Sequence, residues 1–161
     1  MKKIIKINQT NIEECINLIL KNLTEFEIFK KMGWSADQYR NQASKEKNFS
    51  LSLLESNKLI GFILGDLHIY NEFNEYEILL IYVDIHHRNK GNASLLINSI
   101  LDLDIENKLS KISLEVAENN LSAIKLYEKN KFIKIGLRKN YFFAVSGIKE
   151  NAILYERKID G

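Results

Sequence analysis

Residues 75–105 read EYEILLIYVDIHHRNKGNASLLINSILDLDI: an apolar run at 78–83, a polar elbow R-N-K-G-N-A at 88–93, then an apolar helical pattern. A strand feeding a glycine-containing loop that opens a helix aims several free backbone N–H groups at one point, which makes an anion site. Gly91 removes a side chain where a ligand would approach the backbone, Ala93 keeps the next turn narrow, and Arg88 and Lys90 put charge beside the same N–H groups. The spacing is neither the G-x-G-x-x-G of dinucleotide folds nor the Gly-Lys-Ser/Thr of a P-loop, which argues against a nucleoside triphosphatase. A pyrophosphate suits the elbow; a plain polar loop at a helix start is the alternative that the residues alone leave open.

Outward from this stretch, residues 3–8 alternate as a first strand. A helix with apolar Ile12, Cys15, Ile16, Ile19, Leu20 and Leu23 follows, capped from residues 8–11. Residues 24–34 mix aromatics with charges around Gly33 and read as an irregular loop, whose Phe26, Phe29 and Trp34 either line a cleft or cover the core. Ser35-x-x-Gln38 is a capping box that opens a second helix to about Glu46. Residues 49–55 and 59–70 form a hairpin around Ser56-Asn57-Lys58, with Gly61 and Gly65 as bends or bulges. A turn at 71–74 then leads to the elbow strand, giving an antiparallel meander. Helix three runs from about Gly91 to Ile105, with Leu103 among its apolar positions. A strand at 111–117, a helix from Leu121 to about Asn130 and two strands at 132–143 and 148–159 close the chain. The pattern predicts one α/β (α+β) domain over residues 1–161, with a mixed, mostly antiparallel sheet of about seven strands and about four helices. The helix between strands four and five makes those two parallel neighbours.

Composition agrees with a single core: 161 residues, 45% hydrophobic. The net charge of +2, from 23 basic and 21 acidic residues, implies neither a nucleic-acid nor a membrane partner. Cys15 has no second cysteine to pair with, and its apolar neighbours make it a core thiol. The apolar stretch after Met1 is too short for a signal peptide or a membrane span, so a reducing, cytoplasmic setting is expected. His68, His86 and His87 have no metal-ligand spacing; no metal is expected, and they read as solvated or phosphate-adjacent.

R-N-K-G-N-A resembles the Q/R-x-x-G-x-G/A acetyl-coenzyme A signature of the GNAT superfamily of N-acetyltransferases, with strand, helix and element order where that family has them. The segment L-E-V-A-E-N-N-L-S-A-I-K-L-Y-E-K-N-K-F at 114–132 resembles the RimI-type ribosomal-protein alanine N-acetyltransferases within it, as do R-K-N-Y at 138–141 and E-N-A-I-L at 150–154. Arg88 stands where glutamine is commoner, Ala93 replaces a final glycine, and Asn151 occupies a place that often holds aspartate. The resemblance implies a GNAT-like fold and acetyl-CoA as cosubstrate. Arg88, Asn89, Lys90, Gly91, Asn92, Ala93 and Ser94 would surround its pyrophosphate, while Ile81, Tyr82 and Val83 would pair with the pantetheine arm. An N–H near Val83 would polarise the thioester, and Asn120 would bond the arm, although as a helix start it is equally a cap.

Acyl transfer from a thioester to an amine needs a neutral amine, a stabilised oxyanion and a protonated leaving thiolate. Glu115, in the apolar context of Leu114 and Val116, is the candidate base. On alternation alone it is an outward glutamate, because Ile112, Leu114 and Val116 share the other face. Tyr127 is the candidate acid, its phenol neutral at physiological pH; alone it would read as packing. The resemblance favours the catalytic role for both. It further implies a protein N-terminus as acceptor, a ribosomal protein with N-terminal alanine, entering between residues 26–35 and the last hairpin, where Trp34, Tyr141 and Glu150 are candidate contacts. Glu25, Glu27, Glu72 and Glu75 are positioned to attract a basic peptide or simply to solvate a face. A small-molecule amine acceptor and a non-catalytic coenzyme-binding module remain alternatives, and a monomer or weak homodimer is expected.

Overall fold

In the computed structural model, described for residues 1–102, 108–143 and 147–159, the chain folds as β1(Lys2–Ile7), α1(Ile12–Leu20), α2(Leu23–Lys31), α3(Ala36–Ser44), β2(Ser50–Glu55), β3(Lys58–Ile69), β4(Asn74–Val83), α4(Asn92–Leu101), β5(Leu109–Ala117), α5(Leu121–Lys129), β6(Ile133–Phe143) and β7(Lys149–Lys158). One seven-stranded sheet has the order β1-β2-β3-β4-β5-β7-β6. It is antiparallel throughout except at β4–β5, where the α4 crossover requires parallel pairing. The expected end of helix three, with Leu103, lies outside the described residues.

The reading of residues 24–34 as a loop is wrong: Leu23–Lys31 is a helix, which makes five helices. Asn22 caps it by accepting from Glu25 N–H at 3.1 Å, and Phe26 and Phe29 on one face pack into the core beneath. Ser35 caps α3 as expected, accepting from Gln38 N–H at 3.2 Å. Among the described residues no helix is long and apolar enough to cross a membrane.

Two cores sandwich the sheet. One gathers Tyr76, Ile78, Ile112, Leu114 and Val116 against Leu96, Ile97 and Ile100 of α4 and Tyr127 of α5. The other gathers Phe62, Leu64, Leu80 and Tyr82 against α1, α2 and Tyr39. Cys15 belongs to the second, and burial pushes its thiol up to about 12.

β4 contributes even-numbered residues to both cores, which a regular strand of period two cannot do. The register explains it: Gly65 pairs with Ile78 but Leu64 pairs with Leu80, so Leu79 is an extra residue, a bulge. Gly65 is required opposite it. A Cβ there would overlap the Tyr76 phenol and stand 2.7 Å from the Glu77 carbonyl oxygen. Tyr76, fully buried, donates its hydroxyl hydrogen bond to Phe49 O at 2.5 Å.

Candidate active site

The bulge bends β4 where its pairing with β5 ends. The last parallel partners are Ile78 and Leu114; beyond them β4 runs on to Val83 and β5 to Ala117 without pairing to each other. The strands therefore part as a wedge, and the β4 edge facing it carries backbone groups with no strand partner on that side. A groove of about 910 Å³ opens along the wedge, lined by the end of β4, the elbow, the first turn of α4 and the flank of α5.

At the elbow Gly91 is the α4 N-cap in a left-handed conformation, φ +80°, preceded by Asn89 at φ +60°. These turns leave the first-turn amides of α4 directed at the groove, which Gly91, Asn92, Ala93 and Ser94 line. The side chains behave less uniformly. Asn92 is buried, accepting from Lys2 Nζ at 2.7 Å and donating to His87 O at 2.8 Å, so it ties the elbow together. Lys90 Nζ donates to His86 O at 3.2 Å. Ser94 Oγ accepts from Asn130 Nδ2 at 3.0 Å, linking α4 to the end of α5.

Arg88 does not direct its charge at the loop amides. Its Nε donates to Val83 O at 2.8 Å, and its guanidinium meets the Glu25 carboxylate at 2.8 Å, 5.4 Å from the Tyr82 ring centre. Tyr82 Oη donates to the same carboxylate at 2.9 Å. Burial, then the bond to Glu25, raises the Tyr82 phenol far above its usual range. The sequence left Glu25 either to attract a basic peptide or to solvate a face; it clasps Arg88 and lines the groove. Glu75 is likewise engaged, 3.7 Å from Lys111.

Asn120 caps α5, accepting from Ala123 N–H at 3.3 Å, and it also lines the groove. Tyr127 lines the groove from below, 7% exposed, packed edge-on against Phe132 at 5.6 Å. Burial raises its phenol well beyond the usual tyrosine range, so it is a proton donor at every physiological pH.

Glu115 follows Leu114, the last β5 residue paired to β4. Its neighbours Leu114 and Val116 enter the α4–α5 core, so its carboxylate stands on the opposite sheet face, 25% exposed. There it bonds Arg138 Nε at 3.1 Å. Tyr141, about half exposed, shares that face; the Glu115 charge, first, and burial raise its phenol. Arg138 belongs to the R-K-N-Y segment, and no spacing in the sequence joins it to Glu115.

Two other expected contacts do not line the groove. Trp34 stacks on Tyr39 at 5.2 Å against the second core and does not line the groove. Glu150 pairs with Phe142 at the outer end of the β6–β7 ladder. The asparagine at 151 has a local reason: it accepts from Asn140 N–H at 2.9 Å while donating from Nδ2 to Glu118 at 3.3 Å, and an aspartate there would oppose Glu118. His87 lies 3.1 Å from Asp84 and 3.5 Å from Glu55, while the β3–β4 register brings the ligand atoms of Asp66, His68 and Glu77 within 4.8 Å of one another. Asp66 in that group already accepts from Gln42 Nε2 at 2.7 Å.

A wedge between parallel strands, a glycine-capped helix start beside it and a buried phenol behind it form one groove with an anion-binding end. The family model described as Acetyltransferase (GNAT) family matches residues 16–132, and the chain belongs to that family: it is an acetyl-CoA-dependent N-acetyltransferase, with acetyl-CoA as cosubstrate. Among particular proteins, it is 31% identical over 121 residues to the ribosomal protein bS18-alanine N-acetyltransferase of Haemophilus influenzae, covering 75% of this chain and 79% of that one. In fold it is similar to the ribosomal-protein-S18-alanine N-acetyltransferase from Escherichia coli, with TM-score 0.78, 21% identity and coverage of 100% and 96%. It is also similar in fold to Arabidopsis thaliana NAA60 in complex with acetyl-CoA, with TM-score 0.80, 17% identity and coverage of 100% of both chains.

Proposed function

We propose that this protein acetylates the α-amine of a protein N-terminus, that of a ribosomal protein beginning with alanine. The observation that carries the reading is the wedge, with Glu115 on one sheet face and the Tyr127 phenol buried behind the other. The relative from Haemophilus influenzae, whose name specifies that acceptor, supports the choice of substrate.

The residues fit the cosubstrate. The unpaired edge at Ile81, Tyr82 and Val83 suits an arm bonded as a strand would be, the first-turn amides of α4 suit a pyrophosphate, and Asn120 stands beside the arm. Acetyl-CoA supplies an activated acyl group and a thiolate leaving group. Glu115 takes the acceptor's proton through a water, and Tyr127 gives one to the departing sulfur. An α-amine, with a reference pKa of about 8 against about 10.4 for lysine, needs only a modest base. The N–H near Val83 faces the developing oxyanion.

The test is to incubate the protein with acetyl-CoA and peptides varied at the first two residues, following free thiol release. Peptides beginning with alanine are expected to react fastest. Faster turnover of a small amine than of every peptide would overturn the acceptor assignment, and no thiol release with any peptide or amine, despite measurable coenzyme binding, would overturn the catalytic one.

A further inference from the structure

The β6 strand is irregular where it passes the base. Arg138 pairs with Ala152 and Phe142 with Glu150, so residues 139–141 all stand opposite Asn151, and Asn140 takes φ +53°. In a regular strand, residues three apart point to opposite faces. The double bulge removes that constraint: Arg138 bonds Glu115 at 3.1 Å, and its guanidinium carbon lies 5.3 Å from the centre of the Tyr141 ring. Tyr141 is close enough to Glu115 for that carboxylate's charge to raise its phenol. The conformation is held from outside by the Asn140–Asn151–Glu118 bonds, so two side chains of an edge strand are brought over β7 onto one carboxylate.

We propose that Arg138 is a positioning residue for the transfer: its guanidinium holds the Glu115 carboxylate in one orientation while the cosubstrate and acceptor close round it. The proposal rests on Glu115 being the base. A charge-assisted hydrogen bond from a planar guanidinium fixes the direction of the oxygen it reaches and leaves other lone pairs of the carboxylate for a water. The other charges near this face act the opposite way or are already paired. Glu77 on β4 has no ion-pair partner among the described residues; Glu156 on β7 lies 3.3 Å from Lys111; Asp66 and His68 on β3 lie beyond Glu77; Glu118 is bonded to Asn151. Arg138 is therefore the cation that answers Glu115. One carboxylate can accept from Arg138 and Tyr141 and still hold a water.

The experiment compares kcat and KM for an N-terminal alanine peptide, acetyl-CoA affinity by calorimetry, and Tm in Arg138→Met and Arg138→Lys. Arg138→Met is expected to lower kcat about tenfold while acetyl-CoA affinity and Tm stay nearly unchanged, a modest loss because Arg138 is half exposed. Arg138→Lys, which keeps the charge but not the planar fork, should recover only part of the rate. An unchanged kcat in Arg138→Met, or a loss of rate that tracks a loss of acetyl-CoA affinity or of Tm, would overturn the proposal. Full turnover in Glu115→Gln would instead overturn the assignment of the base, a separate failure.

Discussion

Gly65→Ala tests whether the bulge is built on a single missing methyl group. The new Cβ would overlap the Oη and Cζ atoms of Tyr76 and sit 2.7 Å from the Glu77 carbonyl, so the ring or the β3–β4 ladder must move. The ring is fully buried and its hydroxyl is bonded to Phe49 O, leaving no free space to swing into. Overpacking of this kind costs about 1–3 kcal/mol, and stranding a buried hydroxyl and carbonyl adds about 1–3 kcal/mol. A loss of about 4 kcal/mol is expected in urea unfolding, equivalent to a drop in Tm of about 12 °C for a chain of this size. A double-mutant cycle isolates the cause: in a Tyr76→Leu background the ring is gone and only the close approach to the Glu77 carbonyl remains, so Gly65→Ala should cost about 1–2 kcal/mol, clearly less than in the parent. A loss below about 1 kcal/mol in the parent, or the same loss in both backgrounds, would refute the reasoning.

Glu115→Gln should lower kcat by about 100-fold or more while leaving acetyl-CoA affinity within about twofold, read by stopped-flow turnover and calorimetry. Gly91→Asp should do the reverse. Its carboxylate, beside the pyrophosphate in a left-handed position that aspartate tolerates, should weaken acetyl-CoA binding about tenfold with little loss of fold, judged by calorimetry and thermal melts. Tyr127→Phe keeps the packing against Phe132 but removes the proton donor, so kcat should fall about 10- to 100-fold with Tm nearly unchanged. Burial also raises the phenols of Tyr39, Tyr76 and Tyr127. The unfolded chain releases these protons near pH 10 and the native one holds them, so their contribution is complete below about pH 10 and declines as pH rises above it. Unfolding midpoints measured from pH 9 to 12 should therefore fall, and less steeply in Tyr127→Phe.

The elbow and the rest of the element order were legible because each rests on local rules: Gly91 at a helix start, the cap at Ser35, and apolar spacing in α1 and β5. The helix at Leu23–Lys31 was missed, because the charges among its aromatics and the nearby Gly33 outweighed the cap signal of Asn22 with Glu25 three residues on. Gly65 marked the irregularity from the β3 side, but its place on β4 was hidden, since the run Ile-Leu-Leu-Ile-Tyr-Val is apolar at every position and cannot reveal a change of phase. The Arg88–Glu25 clasp and the Arg138–Glu115 pair join residues far apart in the chain, and their meeting depends on helix packing and on the β6 bulge, neither of which is encoded by spacing.

Leu79 acts as a spacer. Because Ile78 and Leu80 already face opposite cores on either side of it, deleting Leu79 would leave its neighbours pointing where they point now and both cores filled. What would vanish is the kink, and with it the reason for β4 to leave β5 at Ile78. The length of this strand, rather than the identity of any one side chain in it, is then what separates a closed sheet from one with room for a substrate.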